Sequence, residues 1–378
     1  MIIILISSCA DSPRKNNLDN YTEIGESEKT LRVSALSGFV QDGSNDKKSD
    51  WVSDFEKSSK CKVKIQVAKN EDELISNIEK SKTDVVLGRS NVINELIDKD
   101  QVSPLNTGLF TSYSLITENL KNKPFNSMNN QVYSLPVSFS FSVLTFNTEK
   151  FSSAVDSWEH FFSSKKMSKN SSVDASIYTV ASAALYLKVT NEKLGIKNPF
   201  ALTDAQFDEV INTLKLQKNN GANYLHSNLE IEKSIISNNP KLGNSELAIA
   251  YSLKSRNAPY DFTIPKEGTI GWVDSWAISK STPNPNCAYL WLNHVTSSEI
   301  NAKYAQFIGA APANLESCSF TTQTNHCKLF FKTDNTILNR VTFWTNPSKT
   351  CLDGRTDVQC VEYDRYKSEW AKIIGEST

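Results

Sequence analysis

Apolar and polar residues alternate most strictly at Cys61-Lys62-Val63-Lys64-Ile65-Gln66-Val67. Successive side chains of a strand point to opposite faces, so this stretch predicts a half-buried strand. Leu31 to Ala35 repeats the pattern more briefly. Between the two, Trp51 and Phe55 share one face of a short helix that Ser49 is placed to cap. Leu74, Ile75 and Ile78 give Glu71 to Lys80 the stripe of an amphipathic helix. Asp84-Val85-Val86-Leu87-Gly88 then reads as a short buried strand, with a helix from about Asn91 to Asp98. Strands alternating with helices argue for a parallel or mixed sheet with helical crossovers.

Beyond residue 130 the pattern changes. Ser134 to Val137 and Phe141 to Phe146 read as extended and as a passage to a second body. In that body Thr203 and Gln206 have the spacing of a capping box, ahead of a helix with Phe207, Val210, Ile211 and Leu214 on its buried face. Glu246 to Tyr251 reads as a short strand, and the chain is extended again from Ile270 to Ile278. A single long helix is expected from about Asn286 to Phe307.

At 378 residues the chain exceeds one ordinary core, and two domains are expected. Its 41 basic and 42 acidic residues balance, which argues against a nucleic-acid partner. Mean hydropathy is −0.39 and no apolar run approaches the ~20 residues of a membrane span.

The N-terminus adds a compartment. Met1 to Ile6 is apolar and runs into Ser7-Ser8-Cys9. This resembles the end of a bacterial lipoprotein signal, cleaved before a cysteine that then carries lipid, and Cys9 is the expected lipidation site. A basic segment and a longer apolar core usually come first. Neither does here, the pattern of a chain numbered from within its signal. Residues 1–9 are read as the signal remnant and the polar residues 10–29 as a flexible tether. Six other cysteines remain, and spacing suggests pairs: Cys318 with Cys327 and Cys351 with Cys360 each flank a short polar loop, leaving Cys61 for Cys287. Such bridges persist outside the cytoplasm. Unrelated free thiols are the alternative. A metal site is not expected, because no Cys-x-x-Cys occurs and His160, His226, His294 and His326 are scattered.

Several segments in order carry a family resemblance. They are Trp51-Val52-Ser53-Asp54-Phe55-Glu56 before Cys61, Leu194-Gly195-Ile196-Lys197-Asn198-Pro199-Phe200, Pro265-Lys266-Glu267-Gly268, and Gly271-Trp272-Val273-Asp274-Ser275-Trp276. Cys287-Ala288-Tyr289-Leu290-Trp291, Ala311-Pro312-Ala313-Asn314 and Trp344-Thr345-Asn346-Pro347 complete the set. Together they resemble the extracellular solute-binding proteins of ABC transporters, in the spermidine/putrescine branch. The resemblance implies an α/β, two-lobed periplasmic-binding-protein fold of type II, with discontinuous lobes joined by crossover strands. Lobe 1 would comprise 30–141 plus 274–312, and lobe 2 142–273 plus 313–378. It further implies a monomer in the periplasm or on the cell surface that captures a small cationic solute without cofactor or catalysis and delivers it to a membrane permease.

A polyamine needs carboxylates for its ammonium groups and aromatic faces for its methylenes and charges, each cation–π contact contributing ~0.5–2 kcal/mol. Trp272 and Asp274, two apart on an extended segment, share a face. They match a ligand-contacting tryptophan and aspartate of the branch. The resemblance also points to Phe39 in the first strand-to-helix loop, to Asp174, and to Tyr251 where a cleft tryptophan is usual. Ser90 and Asn91 follow a strand and could meet a ligand end, although Ser90 equally suits a helix N-cap. Leu36 and Tyr178 depart from the pattern, standing where an aromatic and an acid are usual. Two other readings stay open. A surface lipoprotein could use the fold as an adhesive scaffold. A hydrolase is the other, although the chain has no Gly-x-Ser-x-Gly, P-loop or His-Glu-x-x-His.

Overall fold

The computed structural model describes residues 18, 21–44, 46–47, 49–163, 165, 171–332 and 334–375. Cys9 and the signal remnant lie outside the described residues.

The chain opens as β1 (Thr30–Leu36), α1 (Ser53–Ser59), β2 (Lys62–Ala68), α2 (Glu71–Glu79), β3 (Val85–Arg89) and α3 (Ser90–Asp98). A small hairpin of β4 (Ser127–Met128) and β5 (Gln131–Val132) precedes β6 (Ser134–Asn147). Then come α4 (Glu159–Phe162), β7 (Ser171–Asp174), α5 (Tyr178–Thr190), α6 (Asp204–Asn219), β8 (Asn223–Leu225), α7 (Asn228–Asn238), β9 (Leu242–Glu246) and α8 (Leu247–Ser255). The chain continues through β10 (Tyr260–Thr263), β11 (Thr269–Ile278), α9 (Pro285–Val295), α10 (Ser298–Ile308) and β12 (Ala311–Pro312). It ends with α11 (His326–Leu329), α12 (Asn335–Leu338), β13 (Val341–Phe343) and α13 (Tyr363–Ile374).

One curled sheet runs in the order β2-β1-β3-β11-β6-β9-β7-β8. The outer strands pair in parallel, β2 with β1 and β1 with β3 at one end, β9 with β7 and β7 with β8 at the other. The long central strands β6 and β11 are antiparallel to each other and to their other neighbours β3 and β9. Along β6 the partner changes: Ser134 to Phe141 face β11, and Ser142 to Phe146 face β9. This is the two-lobed α/β fold, with β6 and β11 as the crossover strands. Buried side chains gather around both ends. Leu31, Val33, Trp276 and Trp291 lie in one cluster, Val173, Phe207, Trp344 and Trp370 in the other. Among the described residues no helix is long and apolar enough to cross a membrane.

Most of the expected strands and helices form, and so does the Thr203–Gln206 capping box. Four local expectations are corrected. Residues 247–251 are not a strand but the start of α8; the apolar run Leu247-Ala248-Ile249-Ala250 is too short for periodicity to separate helix from strand. The helix expected over 286–307 is two. Thr296 Oγ1 donates to the Leu292 carbonyl and Ser297 Oγ to that of His294, side chains that turn the backbone out of the helix where it breaks. At α1, Asp50 rather than Ser49 receives the backbone N–H groups of Val52 and Ser53. Residues 21–29, read within the tether, lie against the body. Tyr21 stacks on Tyr289 at 5.5 Å, and Glu28 accepts from the backbone of Asn286 and Cys287.

Three disulfides join Cys61 to Cys287, Cys318 to Cys327 and Cys351 to Cys360. The first ties α9 to the start of β2 across 226 residues of sequence. Lys332 is buried too. Its Nζ donates to Thr117 Oγ1 and the Ala313 carbonyl, with the Phe139 ring 5.8 Å away. Burial pushes its pKa from the ordinary lysine value down to about 7.

The long disulfide and the buried lysine each make a measurable difference. Closing so long a loop restricts the unfolded chain, so replacing Cys61 and Cys287 together by serine should lower stability by about 3–5 kcal/mol. Denaturant unfolding without reductant reads this, and a midpoint equal to the parent's would remove the bridge from the account. Between pH 7 and 10.5 the unfolded chain binds a proton at Lys332 that the folded chain does not, so this residue makes stability rise with pH. Lys332→Met should therefore gain most over the parent below pH 7 and least above 10.5. A stability difference flat across that range would contradict the buried, neutralised amine.

Candidate functional site

Strand register assembles the site. Asp274 in β11 lies opposite Arg89 of β3 on one side and Ser138 of β6 on the other. The β6–β11 register shifts between Asp274 and Ser275, the signature of a bulge, a device that re-aims a side chain. Trp272, two residues earlier, lies opposite Ser140. Arg89 and Glu246 end β3 and β9, so both charges emerge where buried strands stop.

Arg89 is central. One terminal nitrogen holds Glu246 Oε1 at 2.6 Å, its Nε stands 3.8 Å from Asp274 Oδ1, and its guanidinium lies 4.8 Å from the centre of the Trp272 ring. Burial works against its charge, but the carboxylates of Glu246 and Asp274 outweigh this and hold its pKa above the ordinary value. Asp274 is only 3% exposed. Its Oδ2 accepts from Ser138 Oγ at 2.5 Å and from the Tyr304 hydroxyl at 3.4 Å. Burial raises its pKa, opposed by Arg89 and Ser138. Asp274 Oδ1, Arg89 Nε and Ser140 Oγ have no hydrogen-bond partner among the described residues.

Arg89, Ser140 and Asp274 line a cavity of about 220 Å³ with Glu246, Trp272, Phe39 and Phe307. Gly309 closes one side. A Cβ there would come within 2.9 Å of Ala248, and the residue has φ of +70°, so glycine is required on both counts.

Of the residues expected from sequence, Phe39, Trp272 and Asp274 line this cavity and the others do not. Asn91 stands behind it, accepting from the Tyr178 hydroxyl at 2.8 Å and donating to Glu71 Oε2 at 2.6 Å. Burial raises the pKa of that glutamate. Ser90 Oγ accepts from the Val273 backbone and pins α3 to β11. Asp174 accepts from the backbone and hydroxyl of Ser176; burial, with Glu246 adding to it, raises its pKa to about 6. Tyr251 lies on α8 between Phe262 and Phe330, in a cluster away from Trp272. Tyr178 stacks on Trp272 at 5.1 Å and supports its ring.

Sequence reasoning does not single out Arg89, Glu246 or Ser140. A signal exists for Arg89: a charge ending the buried run Val85-Val86-Leu87-Gly88 must be paired. Glu246 is hidden because the apolar run after it makes it look like the start of a strand rather than its end.

The molecule is similar to proteins of known role. Residues 50–323 match the family described as bacterial extracellular solute-binding protein. A curated relative, spermidine/putrescine-binding periplasmic protein 1 of Haemophilus influenzae, is 22% identical over 325 residues, covering 82% of each chain. The substrate-binding protein of a spermidine/putrescine ABC transporter from Streptococcus pneumoniae superposes with a TM-score of 0.70 at 15% identity, over 91% of this chain and 97% of that one. A lipoprotein of Treponema pallidum does so at 0.70 and 15%, over 91% and 99%.

Proposed function

Because the chain belongs to the bacterial extracellular solute-binding proteins, we propose that it is the ligand-capturing component of an ABC importer, taking a small amine-bearing solute into the cavity beside Trp272 and Asp274. The observation that carries this reading is the lining of that cavity, where the carboxylates of Asp274 and Glu246 stand with the rings of Trp272 and Phe39. Carboxylates suit an ammonium, and an aromatic wall of Trp272 and Phe39 suits the adjoining carbon chain. The polyamine relatives make putrescine and spermidine the first solutes to try.

In the same reading the lobes divide near residues 141 and 273, each lobe built from two chain segments. Cys9 carries lipid and holds a monomer at a membrane outside the cytoplasm. The loaded protein presents its solute to a permease and performs no reaction. The Ile-Ser-Ser-Cys segment supports the anchor, as does the lipoprotein of the same fold in Treponema pallidum.

A thermal-shift panel of putrescine, spermidine, cadaverine, agmatine, γ-aminobutyrate and amino acids tests the reading. A ligand at a hundred times its dissociation constant stabilises by ~2.7 kcal/mol. The shift should be lost in Asp274→Asn, which should fold as the parent does and bind about 2–5 kcal/mol more weakly. Undiminished affinity in that variant would move the site elsewhere, and a folded, ligand-free parent that no amine stabilises would end the amine reading.

A further inference from the structure

The Cys61–Cys287 bridge lies beneath the chain's own N-terminal segment. Both cysteines are fully buried. Ser27 Oγ lies 3.2 Å from the Cys61 sulfur and 3.5 Å from that of Cys287. Glu28, beside it, reaches the first turn of α9, where Asn284 at the N-cap makes no side-chain cap. Its Oε1 accepts from the Asn286 backbone at 2.9 Å and its Oε2 from the Cys287 backbone at 2.8 Å. Residues 21–25 fix the segment along the same helix. Tyr21 stacks on Tyr289, the Gly25 N–H donates to Asn286 Oδ1 at 2.7 Å, and Asn106 Nδ2 donates to the Tyr21 carbonyl at 2.7 Å. Ile24 packs on the core cluster that holds both cysteines.

We propose that residues 21–28 are a strap guarding this bridge, so that a thiol reductant opens it only where the strap lifts. Opening requires a thiolate to attack one sulfur while the other leaves as a thiolate. The second thiol of a dithiol reductant then resolves the mixed disulfide, leaving both cysteines as thiols and the reductant as its own disulfide. Cys287 is the better leaving group, because it stands in the first turn of α9, where the positive end of the helix dipole favours an anion. Glu28 already occupies that end. Its carboxylate takes N–H groups that such an anion would use and opposes a second negative charge beside it. Ser27 covers the sulfurs themselves. The strap thus restricts access and disfavours the leaving group together. Cys318 and Cys327, by contrast, are only half-buried. Because the guarded bridge ties α9 to the start of β2, lifting the strap gates a covalent link across 226 residues of sequence. The inference does not depend on what the cavity binds.

Reduction of the folded, full-length chain by dithiothreitol tests it. Alkylation of freed cysteines followed by peptide mass spectrometry gives an opening rate for each of the three bridges. In the parent, Cys318–Cys327 should open first and Cys61–Cys287 at least tenfold more slowly. Glu28→Gln, which removes the charge and one acceptor, should open Cys61–Cys287 about threefold faster. Tyr21→Ala, which removes the stacking on Tyr289, should do so about tenfold faster. Cys351–Cys360 is buried in a separate cluster, at 3% and 5% exposure, and should keep the parent's rate in both variants. Equal acceleration of the two buried bridges would mean opening through global unfolding and would overturn the inference. A Cys61–Cys287 rate unmoved by either variant would do the same. The parent decides even where a variant does not fold: a Cys61–Cys287 bridge that opens in it as fast as Cys318–Cys327 is unguarded.

Discussion

A buried guanidinium between two carboxylates holds the two halves of this sheet in one arrangement. Arg89 ends a strand of one half and Glu246 a strand of the other, yet they meet at 2.6 Å across 157 residues of sequence. Burying such a group is unfavourable unless it is paired, and removing one partner of a buried pair costs ~3–5 kcal/mol. The pairing of Asp274 with Ser138 is different in kind, because it joins adjacent strands β11 and β6 and survives any movement that carries them together. Opening the molecule by separating β3 from β9 must therefore break Arg89 from Glu246 while leaving Asp274 held. This arrangement of the two halves then owes part of its stability to the same cation that lines the cavity.

Register explains why so few residues suffice. A one-residue slip of β11 against β6 would send Trp272 and Asp274 to the opposite face. Buried neighbours prevent this: Trp276, two positions beyond Asp274 on the same alternation, packs edge-on against Trp291, and Trp272 stacks on Tyr178. The bulge opposite Asp274 lies in β6, where Val137 is left without a partner on β11, and pairing resumes at once between Ser275 and Pro136, so β11 itself stays regular against β3. Behind the cavity, Tyr178, Asn91 and Glu71 form a hydrogen-bonded chain that fixes the ring supporting Trp272. Residues that never meet the cavity thus set the attitude of those that do.

Much of the architecture is readable in the sequence. Strict alternation at 61–67 and the amphipathic stripe at 71–80 need no tertiary context, and the short polar loops between Cys318 and Cys327 and between Cys351 and Cys360 mark two of the three disulfides. Trp272 and Asp274 can be placed on one face because strand periodicity is rigid. What sequence hides is set by long-range pairing. Nothing near Arg89 names Glu246 as its partner, and the apolar run after Glu246 conceals a helix start that makes the glutamate a strand end. Only family resemblance draws Tyr251 toward the site, whereas its position on α8 turns it to Phe262 and Phe330.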